Sequence, residues 1–371
     1  MHPAKPAHPH HSAGLDFNRN PMIVYWETTQ ACALACQHCR AEAVTTAPPG
    51  ELTTAEGKLL LRQIASFGSP LPHLILTGGD PLRRADLYEL IDDARTLGID
   101  VAITPSATPD LTYERMTGLK SHGIETVGLS LDGPNAARHD GIRGVTGTFE
   151  RTMNALEWTT RLGLSVQVNT LVAQETADDL PAVYELLKTR AAQTVVRWSL
   201  FYLISVGRGR MLQPVTPERG EQIMNWACDL APAAPFAIAT TEAPSFRRVA
   251  LSRMRKDGIA SAEMHSSSMS RRAGVRDGQG ILFVSSLGDV FPAGFLPLSA
   301  GNVRTGSVVD IYRDSALFRA LRTPGEFKGR CGQCEYRELC GGSRARAFAY
   351  TGDPLETDPL CTYIPKSRMG A

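Results

Sequence analysis

Three cysteines packed into eight residues, Cys32-Ala-Leu-Ala-Cys36-Gln-His-Cys39, come soon after the apolar run 22–26. Thiolates at this C-x3-C-x2-C spacing can hold three irons of a 4Fe-4S cube and leave the fourth iron open to a chelating small molecule. A zinc ion fits less well, because it needs four ligands and favours two separated C-x2-C knuckles. His38 lies between two of the cysteines with no spacer to reach round as a fourth ligand. A disulfide framework is poorer still.

A second set, Cys331, Cys334, Cys340 and Cys361, is spaced C-x2-C-x5-C-x20-C. Four thiolates can close a cube completely, and zinc competes for such a set taken alone. Cys228 stands apart in a helical stretch and reads as a buried core thiol. No apolar run approaches the ~20 residues that span a bilayer, and the N-terminus lacks the apolar core of a secretory signal. A cytoplasmic chain whose clustered cysteines bind metal is expected, with no membrane partner. Thirty-nine basic against 38 acidic side chains leave a formal charge of +1, which announces no nucleic acid partner.

The elements that must position these cysteines are legible in the alternation of β-like runs and helical periods from residue 21 to about 202. Strands are expected at 22–28, 73–77, 100–104, 126–131, 164–170 and 195–202, with helices near 53–67, 84–97, 110–122, 148–162 and 178–190. Thr53 and Glu56 form a capping-box pattern at the first helix. Gly98 and Gly163 end the second and fourth, where a left-handed residue stops a helix. Only six β/α units are readable and the rhythm fades near Thr216, so the expected fold is α/β, a partial (β/α)6 barrel of the TIM type. Two runs at 281–285 and 289–292, joined at Leu287-Gly288, read as a hairpin. Residues 1–20, with His8, His10 and His11, read as a solvated, disordered tail.

The first cysteine set resembles the signature of the radical S-adenosylmethionine (SAM) superfamily, in which the methionyl end of SAM fills the open iron site. His38 stands where the family usually has an aromatic residue and reads as a ring packed beside the cluster. Gly78-Gly79-Asp80, one β/α unit later, resembles the family's glycine-glycine-acid motif, which contacts the SAM amino group. Ser106, Ser130, Asp132 and Asn169, at the ends of the third, fourth and fifth strands, resemble positions that touch the SAM carboxylate, ribose or amino acid moiety. The serines and aspartate suit helix caps equally. In this company the second cysteine set resembles the auxiliary 4Fe-4S cluster of the SPASM and twitch extensions. The segment from Gly288 to Gly294 offers no thiol, and Ser343 stands where many relatives have another cysteine, so one auxiliary cluster is expected. The resemblance implies a core over 21–215 and a C-terminal iron-sulfur domain of SPASM or twitch type over 216–371.

The segments 26–32 and 340–353 are most similar to radical SAM enzymes of alternative heme biosynthesis, which act on propionate side chains of tetrapyrroles, including oxidative decarboxylation to vinyl groups. This implies reductive cleavage of SAM to a 5′-deoxyadenosyl radical that removes hydrogen from a small-molecule substrate. An electron donor such as ferredoxin or flavodoxin is implied as well. Arg143, Arg208, Arg210, Arg344 and Arg346 are the candidate partners for substrate carboxylates, because a planar guanidinium suits bidentate pairing. Two other readings stay open, a radical SAM maturase of a ribosomally made peptide and a non-catalytic iron-sulfur or zinc scaffold.

Overall fold

The computed structural model describes residues 15–259 and 275–368. Six parallel β/α units form where the alternation places them. β1 (Ile23–Glu27), β2 (His73–Thr77), β3 (Val101–Ile103), β4 (Thr126–Ser130), β5 (Ser165–Val172) and β6 (Val195–Tyr202) pair in sequence order. The helices between them are α1 (Thr54–Ala65), α2 (Leu87–Thr96), α3 (Tyr113–Ser121), α4 (Ala136–Arg143), α5 (Thr148–Leu162) and α6 (Leu180–Arg190).

Local chemistry explains their ends. Thr53 caps α1 while Glu56 reaches back to the cap nitrogen, so two otherwise orphaned N–H groups are satisfied. Gly163 follows α5 at φ +64°, a conformation that costs any residue with a Cβ. Leu60, Leu61 and Ile64 recur at helical spacing on α1 and are buried against the sheet with Trp26. Each such aliphatic side chain contributes about 1.5–3 kcal/mol by leaving water.

Three features differ from expectation. The β/α rhythm runs on past Thr216 with α7 (Pro217–Leu230), β7 (Ala237–Thr241) and α8 (Ser245–Lys256). β7 is short, only one of its five residues is buried, and it sits behind Pro232 and Pro235, so it carries little hydrophobic signal. The sheet also grows at its other edge. β8 (Ile281–Val284) lies parallel to β1, β9 (Asp289–Phe291) closes the expected hairpin, and β10 (Gly301–Asn302) completes an open ten-stranded sheet of order 10-9-8-1-2-3-4-5-6-7. The partial barrel therefore has eight parallel strands, not six, and residues beyond 215 supply both of its edges.

Residues 15–20, read as tail, are docked. The hydroxyl of Tyr312 donates to the carbonyl of Phe17 at 2.7 Å, and Arg313 donates to that of Arg19 at 2.9 Å. Both residues belong to α9 (Val308–Asp314), which is followed by α10 (Ala316–Arg322), α11 (Gly329–Gly332) and α12 (Arg344–Thr351). His8, His10 and His11 fall outside the described residues. Cys228 lies half-buried on α7 against the main core. Among the described residues no helix is long and apolar enough to cross a membrane.

Candidate active site and second cysteine set

The loop after β1 carries Cys32, Cys36 and Cys39, and it is gripped from three sides. From the end of β2, the nitrogens of Gly79 and Asp80 donate to the carbonyls of Thr29 and Ala31, both at 2.7 Å. A Cβ on Gly79 would stand 2.5 Å from the carbonyl oxygens of Gln30 and Ala31, so the paired glycines are demanded by this backbone contact. From α4, the carbonyl of Ile142 accepts from Gln37 N, and Gly144 passes so close that a Cβ would lie 2.6 Å from Ala35 O. From the far side, after β6, Arg208 N donates to Cys39 O at 3.0 Å. Its side chain donates to Cys36 O at 2.9 Å and to Ala43 O at 3.1 Å.

All three thiols are free. Each sulfur faces an N–H donor: Leu34 N at 3.4 Å from Cys32, Arg143 at 3.7 Å from Cys36 and Ala43 N at 3.4 Å from Cys39. Donors aimed at sulfur suit thiolates that carry negative charge toward iron. Three thiolates carried on one loop are a donor set that fits an iron-sulfur cube with one corner left open.

The cysteines open onto a cleft of about 1810 Å³, counting its mouth, at the C-terminal ends of the strands. Gly78, Gly79, Ser106, Ser130, Asp132 and Asn169 all line it, so six of the seven predicted SAM-contacting residues converge. The seventh does not. Asp80 is fully buried and turned away, accepting from Thr108 Oγ1 at 2.7 Å and from the nitrogens of Leu82 and Ser106, a capping role. Ser106 donates to Gly79 O at 2.8 Å and lies 3.8 Å from the Cys32 sulfur. Asn169 accepts from Gln167 at 2.9 Å. Sequence reading passed over Gln167, although polar residues two apart on an otherwise apolar strand share one face.

Asp132, buried, pairs with Arg143 at 2.6 Å and accepts from Leu171 N at 2.8 Å. Burial works to raise its carboxyl, but Arg143 together with His38, His139 and the Leu171 N–H outweighs it and holds the group below the usual range. Burial likewise pushes the Cys36 thiol up, with Arg143 pulling the other way. His38 lines the cleft with the cysteines, and burial, reinforced by Arg143, lowers it to about 4, so the ring is neutral. His139 accepts from Asp132 N through Nδ1 at 3.0 Å and is lowered to about 4, mainly by burial. It sits on α4 with Arg143, a helix absent from those expected; the Asn135 cap was the available signal.

The five candidate arginines have different fates. Arg143 is committed to Asp132 and Cys36, and Arg208 to the cysteine loop. Arg210 is exposed and does not line the cleft. Arg344 and Arg346 are buried and do not line it, although Arg346 lies just behind its wall, 3.5 Å from Leu203 O. Arg344 donates to the carbonyls of Pro354 and Glu356 and lies 3.5 Å from the Cys331 sulfur. Arg346 reaches Glu242 O at 2.8 Å and pairs with Asp358 at 3.4 Å. These two arginines organise the second cysteine set.

Cys331, Cys334, Cys340 and Cys361 line one pocket. Three of their sulfurs accept backbone N–H groups: Asp358 N on Cys331, Tyr336 N on Cys334 and Gly342 N on Cys340, all at 3.4 Å. The N–H two residues on from a cysteine recurs here and at Cys32, so both sets share one local device. Burial pushes Cys340 up to about 12 and Cys361 up to about 11. Ser343 has no thiol to offer; it caps α12 and hydrogen-bonds Glu242 at 2.6 Å.

A family model described as the Radical SAM superfamily matches residues 26–187. The AdoMet-dependent heme synthase of Oleidesulfovibrio alaskensis is 38% identical over 351 residues, 94% of this chain and 89% of that one. That of Methanosarcina barkeri is 37% identical over 93% of this chain and 97% of its own length. Streptococcus suis SuiB bound to S-adenosylmethionine superposes with a TM-score of 0.68 at 17% identity, covering 93% of this chain and 78% of that one. The chain belongs to the radical SAM superfamily and is a radical SAM enzyme.

Proposed function

We propose that this enzyme acts on a propionate side chain of a tetrapyrrole, converting it oxidatively as in decarboxylation to a vinyl group. The observation that carries the reading is the likeness to heme synthases, which runs through nearly the whole chain.

Cys32, Cys36 and Cys39 would hold a 4Fe-4S cluster, and Cys331, Cys334, Cys340 and Cys361 a second, auxiliary one. When bound, these groups and SAM supply a hydrogen-abstracting 5′-deoxyadenosyl radical and an acceptor for the electron left on the product. The chain supplies position. Gly79, Ser106, Ser130, Asn169 and Gln167 offer polar groups to SAM, while neutral His38 and the buried Asp132–Arg143 pair wall the cysteine loop from water. Residues 21–215 form the catalytic core in this reading, 216–371 carry the auxiliary set, and a ferredoxin- or flavodoxin-type protein donates the electron that cleaves SAM.

Anaerobic incubation of the reconstituted protein with SAM, a reductant and iron-coproporphyrin III tests the proposal. Porphyrin-dependent release of deoxyadenosine and of carbon dioxide supports it. Deoxyadenosine release indifferent to the porphyrin counts against it.

A further inference from the structure

Every arginine that the sequence offered as a carboxylate partner is engaged elsewhere or stands outside the cleft. Arg40, which follows Cys39 directly, is not among them, yet it lines the cleft wall. Two contacts set its pose. One guanidinium nitrogen, Nη2, lies 3.1 Å from Glu27 Oε2 at the end of β1, and the guanidinium carbon sits 4.3 Å from the ring centre of Phe283 on β8. Glu27 is itself buried and accepts from Ser286 N at 3.5 Å, so the anchor is rigid.

Those contacts leave Nε and Nη1 of Arg40 with no protein partner among the described residues, on a side chain that is 19% exposed. Gly294 preserves the arrangement. A Cβ there would lie 3.0 Å from Arg40 Nε and 3.3 Å from Phe283 Cδ2, so a side chain at 294 would press on the stacked guanidinium. Ala293, Gly294 and Phe295 line the same cleft and carry no charge of their own.

We propose that Arg40 is a substrate-binding residue, donating one of its free N–H groups to a carboxylate of the substrate while Phe283, Gly294 and Phe295 form the face against which the planar ring lies. This rests on the tetrapyrrole reading. A guanidinium already fixed by stacking and by Glu27 loses little freedom when a carboxylate arrives, which favours binding. One residue from Cys39, the anchored carboxylate holds its side chain beside the cysteine loop, where hydrogen is removed.

The test is an anaerobic absorbance titration of the reconstituted protein, without SAM, using iron-coproporphyrin III and its tetramethyl ester. Wild type binds the acid at least about tenfold more tightly than the ester, the scale of one hydrogen bond between charged groups. Arg40→Gln loses most of that preference through weaker binding of the acid, and Arg40→Lys restores part of it. The double variant Glu27→Gln/Arg40→Gln, which leaves no buried unpaired carboxylate, behaves as Arg40→Gln; its iron content and near-ultraviolet circular dichroism report folding. Wild type that binds neither porphyrin overturns the tetrapyrrole reading itself. Porphyrin binding in which Arg40→Gln keeps the full acid preference overturns the Arg40 assignment alone.

Discussion

Arg208 reaches from the turn after β6 to the carbonyl oxygen of Cys36 at 2.9 Å, joining the end of the sixth parallel strand to the loop after the first. Its second bond, to Ala43 O at 3.1 Å, spans the other side of the cysteine loop. Arg208→Gln is expected to destabilise the loop by about 1–3 kcal/mol through loss of these charge-assisted bonds. Iron bound by Cys32, Cys36 and Cys39 should fall while that of the second set stays. Iron and sulfide analysis with the Cys331→Ala/Cys334→Ala background, which isolates the first set, checks this; undiminished iron there would refute the clamp.

Gly79→Ala places a methyl group 2.5 Å from two backbone carbonyl oxygens, neither of which can swing aside as a side chain would. The expected cost is at least about 1–3 kcal/mol, concentrated at the loop that carries Cys32. The measurement is SAM binding to the reconstituted variant by calorimetry, together with its melting temperature. Both should drop, whereas Gly68→Ala, at a glycine with open space around it, should leave SAM binding intact.

Arg344 is fully buried, and its guanidinium satisfies the carbonyls of Pro354 and Glu356 and faces the Cys331 sulfur. Arg344→Met keeps bulk but strands both carbonyls, at about 1–3 kcal/mol each. Loss of iron from the second set, with SAM cleavage surviving where the protein still folds, is the expected pattern. Retention of full iron content and an unchanged melting temperature would show that the guanidinium is dispensable.

Glu56 ties the start of α1 to Arg304 near β10, and hydrogen bonds from Arg304 and Thr53 hold its carboxyl down at about 2. The folded value lies below the unfolded one of 4.5, so the stabilisation is complete above roughly pH 5 and is lost as the pH falls toward 2. Both side chains are about one-third exposed, so solvent screening limits the effect to about 1 kcal/mol or less. Acid unfolding followed by circular dichroism should show Glu56→Gln less stable than wild type at pH 7, with the difference closing below pH 3. A difference independent of pH would assign the loss to the cap geometry alone.

Much of the fold could be read directly. Apolar runs such as 22–26 and 195–202, separated by helical periods with capping residues, state a parallel β/α alternation because burial on both faces leaves a run of hydrophobic residues. β7 escaped notice because an edge strand with half-exposed Ala and Thr has no such run. Both cysteine sets were legible too, since thiolate spacing along one short segment limits which metal group the segment can wrap.

Chain-local information ended at the side chains whose partners come from distant segments. Nothing near Arg344 or Arg346 distinguishes them from an arginine at a substrate, since their partners, from Glu242 to Asp358, are brought together only by folding. Asp80 reads as a ligand residue until Thr108 is folded against it. Arg40 reads as nothing until β8 brings Phe283 beneath it. The amino-acid order thus specified the two cysteine sets and the alternating scaffold, because both are properties of neighbours in the chain. Which guanidinium faces the cleft was decided by tertiary packing, because a long charged side chain takes its role from whichever carbonyl, carboxylate or ring the fold places within its reach.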